Sequence, residues 1–207
     1  MKTLFVVLLL MIIGTGSAIF SQTVTIGTQV WMTKNLDVST FRNGDPIPQV
    51  KSNEEWIKAG KEGKPAWCYY KNKKKNGKKY GKLYNWHAVN DSRGLAPTGC
   101  HIPTDAEWTI LSDYLGGSGA AGKKMKSTSG WNDEGNGTNS SGFSCLPGGF
   151  RSNIGNYCGI GDYGCWWSAS EGSTDDAYSR SLYGNYDNLT SYDNGKGKGL
   201  SVRCLRD

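Results

Sequence analysis

The segment P-T-D-A-E-W at residues 103–108 predicts the main helix and, with it, the class of fold. Thr104 and Glu107 stand at the two positions of a capping box, in which each side chain bonds the other residue's backbone and starts a helix. Apolar residues then recur at helical spacing on one face, namely Trp108, Leu111 and Leu115. Glycines at 116 and 117 end the helix. We therefore expect a helix over 104–115 that docks on a β-sheet.

Strand patterns lie at both ends of the chain. Apolar and polar residues alternate over 24–32 on either side of a Gly-Thr turn, which predicts a β-hairpin. The same alternation over 199–205 predicts a closing strand. Shorter helical segments are predicted at 53–58, 85–89 and 120–125. From residue 127 onward Gly, Asn, Ser and Asp dominate, so we expect long ordered loops that single aromatic side chains pin to a small core.

A cluster of lysines carries the excess positive charge of the chain, whose formal net charge is +6. The cluster comprises Lys71, Lys73, Lys74, Lys75, Lys78, Lys79 and Lys82. Arms of β-forming residues at 67–70 and 80–84 flank it, and Asn76-Gly77 favours a tight turn, so the pattern predicts a solvated hairpin tip. Contact with an anionic polymer is the alternative. Nucleic acid is not an expected partner.

The first 21 residues have the layout of a secretory signal peptide. A lysine at position 2 precedes an apolar run over 4–13 and a small-residue stretch over 14–18. The apolar run is about ten residues, short of the roughly 20 that span a bilayer, so a retained anchor is the weaker alternative. We therefore expect a signal peptide at 1–21 and one domain at 22–207, with no membrane span in the mature chain. The expected location is secreted, periplasmic or on the cell surface.

Six cysteines in an exported chain indicate an oxidising compartment and as many as three disulfides. They are Cys68, Cys100, Cys145, Cys158, Cys165 and Cys204. Their spacing alone does not fix the connectivity. The sequence has no Cys-x-x-Cys pair, and its two histidines stand at 87 and 101, so it lacks the closely spaced ligands of a zinc site. No metal is expected from this pattern.

The segment from Cys165 to Cys204 combines Tyr, Asn, Asp, Ser and Gly, residue types that give rigid aromatic contact area together with adaptable hydrogen bonding. We therefore predict a loop face that binds a ligand. Its candidate residues are Trp166, Trp167, Tyr178, Arg180, Tyr183, Asn185, Tyr186, Asp187, Asn188, Tyr192 and Asp193. Two alternatives stay open. The segment can be a hydrated turn region, and both tryptophans can belong to the core.

Two groups of oxygen-bearing side chains could hold calcium in such loops. One consists of Asp187, Asn188, Asp193 and Asn194, and the other of Asn132, Asp133 and Asn136. Neither group has the spacing of an EF-hand loop. The sequence therefore predicts no cofactor, with calcium as the weaker alternative.

Seven short blocks follow one another along the chain, at 26–32 with 35–36, 84–86, 103–108, 141–143, 146–149, 166–168 and 201–204. In this order they resemble the Fibrobacter succinogenes major paralogous domain, over about residues 24–205. The resemblance implies an exported or surface protein without a settled biochemical activity. It also implies a C-type-lectin-like fold. Such a fold is an α+β single domain with small antiparallel sheets, one or two helices and long ordered loops, and it joins its termini in one sheet.

The chain departs from the family pattern at the lysine cluster and at two cysteines. Cys100 stands where relatives usually have Trp, and Cys145 stands where a small residue is usual. Two unusual cysteines can be partners, so the resemblance implies a disulfide between Cys100 and Cys145. That pairing leaves Cys68 with Cys204, and Cys158 with Cys165.

The expected function is that of a non-enzymatic binding module that displays the loop face to a glycan or a surface protein. A structural subunit of a cell-envelope assembly is the alternative. An enzyme similar to the formylglycine-generating enzymes is a weaker alternative, because the cysteine spacing does not match their reactive pair. The sequence also places no nucleophile beside a general base.

Signal removal gives a first testable prediction. Cleavage after Ala18 should leave a mature protein that begins at Ile19, because small residues at 16–18 suit signal peptidase. Cleavage after Ser21 is the alternative. Intact-mass measurement of the protein from the cell envelope identifies the first residue directly. A full-length species that begins at Met1 in that fraction would contradict the prediction.

Overall fold

The structure is a computed structural model that describes residues 22–207, and the predicted signal peptide at 1–21 lies outside the described residues. The helices are α1 (Asn53–Lys61), α2 (Lys74–Tyr80), α3 (Trp86–Val89), α4 (Asp105–Tyr114) and α5 (Ser118–Met125). The strands are β1 (Thr23–Ile26), β2 (Gln29–Met32), β3 (Trp67–Cys68), β4 (Leu83–Tyr84), β5 (Cys100–His101), β6 (Gly148–Arg151), β7 (Tyr157–Ile160), β8 (Tyr163–Glu171), β9 (Asp176–Tyr183), β10 (Thr190–Gly195) and β11 (Leu205–Arg206). Helices and strands are mixed along the chain, as in an α+β fold.

The two ends of the described chain meet in one four-stranded sheet of order β1-β2-β11-β5, which we call the terminal sheet. β1 and β2 form the hairpin predicted over 24–32, and Gly27 takes the positive φ of 62° that its turn requires. β11 pairs antiparallel with both neighbours, so Leu205 lies opposite Trp31 on one side and His101 on the other. The sheet that begins with the first hairpin is therefore completed by the last strand.

The strand predicted over 199–205 is only partly formed. Regular pairing is confined to β11, and the residues before it make single bridges to other elements. These bridges join Gly199 to Arg151, Leu200 to Tyr84, and Ser201 to Trp166. The segment cannot continue one ladder because it bonds strands of different sheets in succession.

A five-stranded sheet of order β10-β9-β8-β6-β7 occupies much of the region that the sequence predicted to be loops. Its pairs are antiparallel except for β6 with β8. The loop prediction was wrong here because it relied on polarity, and Ser and Tyr also fit a pleated sheet. Ser179 and Ser181 of β9 are both buried.

Helix α4 begins as predicted. The Glu107 backbone nitrogen donates to Thr104 Oγ1 at 3.2 Å, and the Thr104 backbone nitrogen donates to Glu107 Oε2 at 2.8 Å, which confirms the capping box. Trp108 and Leu111 are fully buried where α4 packs on β8 and β9. The predicted segments at 53–58, 85–89 and 120–125 are helical as well, as α1, α3 and α5.

Five α-helices therefore lie within residues 22–207, where the family resemblance implied one or two. The additional helices are short and lie in the connections between strands. Among the described residues, each helix is too short or too polar to traverse a bilayer.

The lysine cluster forms a helix, which corrects the predicted hairpin tip. Its central part is α2, and a 3-10 turn at Tyr70–Asn72 precedes that helix. The two predicted arms do pair, as β3 with β4. Gly77 lies inside α2 against the Tyr69 ring, and a Cβ added to it would lie 2.1 Å from Tyr69 Cε1. Close helix packing, rather than a turn, therefore accounts for this glycine.

Aromatic side chains fill the core between α4 and the two larger sheets. Trp31 packs on Trp108 and Phe143, with ring centroids 4.8 and 5.3 Å apart, and the Trp108 and Trp166 rings are 6.5 Å apart. All four side chains are fully buried. Tilted ring pairs of this kind add about 0.5–1.5 kcal/mol each to the effect of area burial. The tryptophans thus join the terminal sheet to the five-stranded sheet.

A buried guanidinium lies at the edge of this core. Arg203 is 1% exposed and donates to Met32 O at 2.9 Å, Phe143 O at 2.8 Å and Asn35 Oδ1 at 3.0 Å. Asn35 Oδ1 also accepts from Trp166 Nε1 at 2.8 Å. Burial lowers the pKa of Arg203 to about 10, so the group stays charged at neutral pH. One cation therefore connects the first hairpin, the loop at residue 143 and β8.

All six cysteines are free thiols in the structure, so none of the three expected disulfides is formed in it. The partners of two expected pairs lie in separate apolar clusters. Cys68 belongs to the cluster of Trp56 and Cys145 to the cluster of Trp31, whereas Cys100 and Cys204 lie together in the cluster of Trp167. Cys158 of β7 and Cys165 of β8 are kept on separate strands by β6, which runs between them.

Replacement of Arg203 tests its part in stability. Arg203→Met should destabilise the fold by roughly 3 kcal/mol, because it removes the guanidinium donor from Met32 O and Phe143 O and each buried acceptor left unsatisfied costs about 1–3 kcal/mol. Urea unfolding followed by tryptophan fluorescence measures the loss. Lys75→Met is the matched control, since Lys75 is exposed and its removal should leave the midpoint unchanged. Equal midpoints for the two variants would contradict the prediction.

Candidate functional site

An open cleft of about 250 Å³ lies on one face of the five-stranded sheet. Its lining residues are Phe150, Cys165, Ser181, Tyr183, Tyr192, Asn194, Lys198 and Leu200. We call it the tyrosine cleft. Strands β6, β8, β9 and β10 supply most of the lining, and the segment that leads to β11 supplies the rest.

Strand register brings these side chains together. Cys165 of β8 pairs with Ser181 of β9, and Tyr163 pairs with Tyr183, so all four side chains point to the same face of the sheet. Tyr192 of β10 joins that face through its pairing with β9. The two-residue period of three neighbouring strands therefore builds the cleft.

Five aromatic rings form a row along the cleft, which we call the aromatic row. Phe150 stacks on Tyr163 with ring centroids 6.2 Å apart, and Tyr163 meets Tyr183 edge-on at 5.2 Å. Tyr183 then meets Tyr186 and Tyr192 edge-on, each at 6.3 Å. Tyr186 and Tyr192 are 56% and 42% exposed, whereas the other three rings are half-buried. The row therefore has a packed inner end and an open outer end.

The inner part of the cleft is uncharged. Burial, and then a hydrogen bond with Tyr192, raise the pKa of Tyr183 well above its usual value. Burial also raises the pKa of Cys165 to about 11, although Ser181 Oγ donates a hydrogen bond to its sulfur at 3.4 Å. Both groups keep their protons at neutral pH. They present a hydroxyl and a thiol, rather than anions, to the cleft.

Lys198 supplies the positive charge of the cleft. Its Nζ donates to Asn194 Oδ1, and Asn194 Nδ2 donates to Ser179 Oγ at 2.7 Å. Among residues 22–207, no carboxylate forms an ion pair with this lysine. An ammonium group has three donors, so Lys198 can also bond an oxygen atom of a ligand.

The turn between β9 and β10 adjoins the open end of the aromatic row. Lys126 is 1% exposed and fixes this turn from below, because its Nζ donates to the carbonyl oxygens of Tyr183, Gly184 and Tyr186 at 3.3, 3.1 and 2.9 Å. The same Nζ lies 3.7 Å from Asp187 Oδ1. A turn of exposed polar residues is thus held in one position beside the cleft.

The structure brings part of the predicted ligand set together. Two predicted residues, Tyr183 and Tyr192, lie in the cleft. The exposed turn carries four more, namely Asn185, Tyr186, Asp187 and Asn188. These six form one continuous surface around the open end of the aromatic row.

The two predicted tryptophans do not belong to this surface. Trp166 and Trp167 are fully buried, and their Nε1 atoms donate to Asn35 Oδ1 and Tyr84 O, each at 2.8 Å. Their assignment to a ligand face was therefore wrong, and the alternative of a core position is correct. A tryptophan that satisfies its only polar atom inside the protein has no reason to remain at the surface.

Three further predicted residues lie on the opposite face of the sheet. Arg180 is 6% exposed, and its Nη2 donates to Asp105 Oδ1 at 2.6 Å where β9 meets α4. Tyr178 lies two residues before it on the same side of β9. Asp193 pairs with Tyr178 and shares that side. These residues cannot contact a ligand in the cleft.

Sequence reasoning did not assign several residues of the site to the ligand set, among them Phe150, Tyr163 and Lys198. The alternation of side chains over 163–167 and 177–183 could have predicted two strands. That alternation would also have placed Tyr163 and Tyr183 on the same face of their respective strands. The pairing between those strands was not readable, because register depends on contacts outside each strand.

Members of both groups considered for calcium already have partners within the protein. Asp187 lies beside the Lys126 ammonium, and Asn132 Nδ2 donates to Asp162 Oδ1 at 3.0 Å. Asn136 Oδ1 accepts from the Trp131 backbone nitrogen at 3.1 Å. Within residues 22–207, no group of three or more His, Cys, Asp or Glu side chains is placed to hold a metal ion.

Comparison with known proteins assigns the family of the chain. No curated protein and no solved structure is similar enough to count as a match. The family model described as the Fibrobacter succinogenes major domain matches residues 24–206, which is nearly all of the described chain. The protein therefore belongs to the Fibrobacter succinogenes major domain family.

Proposed function

We propose that the protein is an exported, non-enzymatic binding module and that its tyrosine cleft binds a saccharide. The observation that carries this proposal is the aromatic row, whose outer rings Tyr186 and Tyr192 stay exposed. Exposed tyrosines offer an apolar ring and a polar hydroxyl at one place, which suits the apolar faces and the hydroxyl groups of a sugar. The packed inner rings hold the outer ones in fixed orientation and so reduce the entropy lost on binding.

The polar groups of the cleft support a saccharide over an apolar ligand. Asn194 and the Tyr183 hydroxyl provide donors and acceptors inside the cleft, and the turn adds Asn185 at its rim. A small number of fixed polar groups among aromatic ones is typical of specific ligand sites. Lys198 adds a positive charge that favours sugars with a carboxylate group.

The state of the thiols supports a function without catalysis by cysteine. Burial raises the pKa of five cysteines, which are Cys68, Cys100, Cys145, Cys165 and Cys204. A thiol acts as a nucleophile in its thiolate form, and a raised pKa reduces that form at neutral pH. The formylglycine-generating alternative requires a reactive cysteine in an open groove and is therefore less favoured.

A C-type-lectin-like architecture is part of the proposal. Two features support it: the terminal sheet joins both ends of the described chain, and α4 docks on the neighbouring sheet. The exposed turn between β9 and β10 then corresponds to a ligand loop on a rigid base. A glycan partner at the cell surface or in the periplasm fits this arrangement.

Removal of the outer rings tests the proposal. Tyr186→Ala and Tyr192→Ala should each weaken saccharide binding by roughly 1–3 kcal/mol, because exposed aromatic residues at a binding site commonly contribute that much. Both residues are largely exposed, so melting temperatures should change little. Oligosaccharide arrays with neutral and carboxylated members identify the probe, and calorimetry with the strongest binder measures the affinity.

The matched control is Tyr114→Ala, because Tyr114 is 65% exposed on α4 and lies outside the cleft. The Tyr114→Ala variant should bind the saccharide with the same affinity as the unchanged protein. Tyr183→Phe keeps the half-buried ring and removes only the hydroxyl, which separates ring stacking from hydrogen bonding. Loss of binding in the Tyr114 variant alone, or an array without any bound saccharide, would rule out the proposed function.

A further inference from the structure

Three sulfur-bearing side chains share one face of the terminal sheet. Met32 N donates to Cys204 O at 3.0 Å, and the adjacent residues Trp31 and Leu205 are paired, so Met32 of β2 lies directly opposite Cys204. Residues opposite each other in an antiparallel pair project to the same side. The Met32 thioether and the Cys204 thiol are therefore cross-strand neighbours.

Cys100 completes the group from the next strand. It pairs with Arg206 across β5 and β11. Cys204 lies two residues before Arg206, so it projects to the same side as Cys100 and stands diagonal to it. Electrostatic interaction with Cys100 contributes to the raised pKa of Cys204, after the larger effect of burial, which agrees with this proximity.

The three side chains line one cavity of about 320 Å³. Apolar wall residues of the cavity include Leu36, Val38 and Pro97. Cys100 and Cys204 are 1% and 2% exposed, and Met32 is half-buried. The cavity thus combines sulfur donors with a mainly apolar wall. We call this group of Met32, Cys100 and Cys204 the sulfur site.

We propose that the sulfur site binds one soft monovalent metal ion, Cu(I), through the two cysteine sulfurs and the methionine thioether. Soft thiolate and thioether ligands select Cu(I) over harder cations such as Mg²⁺ or Ca²⁺. The site contains no imidazole, a ligand that Zn²⁺ and Cu²⁺ commonly take.

The geometry favours a metal bridge over a disulfide. Diagonal neighbours in an antiparallel pair are about 7–8 Å apart, whereas the Cα atoms of a disulfide lie roughly 4.4–6.8 Å apart. An ion placed between the two sulfurs spans the longer distance without movement of the strands. The thioether of Met32 adds a third donor, which a disulfide would leave unused.

Binding changes the protonation of the site and leaves the oxidation state of the metal unchanged. Two S–H bonds break, two S–Cu bonds form, and two protons pass to solvent. The resulting group carries one negative charge. Arg42 lies close enough to offset it, because its Nη2 donates to Cys100 O at 3.1 Å and its charge acts on both thiols.

Titration with Cu(I) under anaerobic conditions tests the inference. The reduced protein should take one equivalent of Cu(I) in competition with bathocuproine disulfonate, and thiolate-to-copper absorption should appear in the ultraviolet. Cys100→Ser and Cys204→Ser should each lose this equivalent. Met32→Leu should keep the stoichiometry but weaken the Cu(I) affinity at least about tenfold. Mutation of residues that only support a metal ligand already costs about that much in affinity.

Cys158→Ser is the matched control, since Cys158 is the most accessible of the six cysteines, and it should keep the full equivalent. Met32→Leu retains the apolar volume, so it tests the site even where a buried serine impairs folding. Ag(I), which does not change oxidation state, should raise the melting temperature of the unchanged protein but not that of Cys100→Ser. Cu(I) affinity in both Cys variants equal to that of the unchanged protein, or a Cys100–Cys204 disulfide in protein isolated from cells, would overturn the inference.

Discussion

The buried positive charge of Arg203 is the constraint on which the rest of the structure depends. No carboxylate pairs with it in the described chain, so carbonyl and amide oxygens must surround it inside the core. Those oxygens belong to Met32 and Asn35, which are close in sequence, and to Phe143, which comes more than a hundred residues later. They meet only when the loop at residue 143 lies against the terminal sheet, and Asn35 Oδ1 also accepts from Trp166 Nε1 of the five-stranded sheet. The arrangement therefore specifies how the two sheets pack, in addition to any stability that it provides.

Two other buried cations apply the same principle to the loops. The Arg151 guanidinium is fully buried between the Trp56 and Tyr157 rings and donates to four carbonyl oxygens, at Val50, Lys51, Ser52 and Gly155. The Lys126 ammonium donates hydrogen bonds to three carbonyl oxygens of the β9–β10 turn. Loops rich in Gly, Asn and Ser contain few apolar side chains, so backbone hydrogen bonds to a buried cation replace apolar anchoring. The exposed tyrosines beside the β9–β10 turn are therefore positioned by these backbone hydrogen bonds.

The features that could be predicted from sequence are local ones. The capping box of α4 and the β1–β2 hairpin depend on residues within a few positions of one another, and both are present. The five-stranded sheet depends on register between distant strands, and its serines look like loop residues in isolation. For the site, composition identified Tyr183 and Tyr192, but the partners Tyr163 and Lys198 come from other elements. The assignment of Trp166 to the ligand face was wrong for the same reason, because its hydrogen bond partner Asn35 is more than a hundred residues away in sequence.

The course of residues 199–204 has a consequence for how the chain folds. These residues bond β6, β4, β8 and β2 in succession, and those strands are spread along the chain between residues 29 and 171. The sheets therefore acquire their mutual contacts through residues that are distant in sequence. Such long-range closure gives a high contact order, and folding rates fall as contact order rises. Residues 22–207 should accordingly fold slowly and as one cooperative unit, because the sheets join only when this segment reaches all four strands.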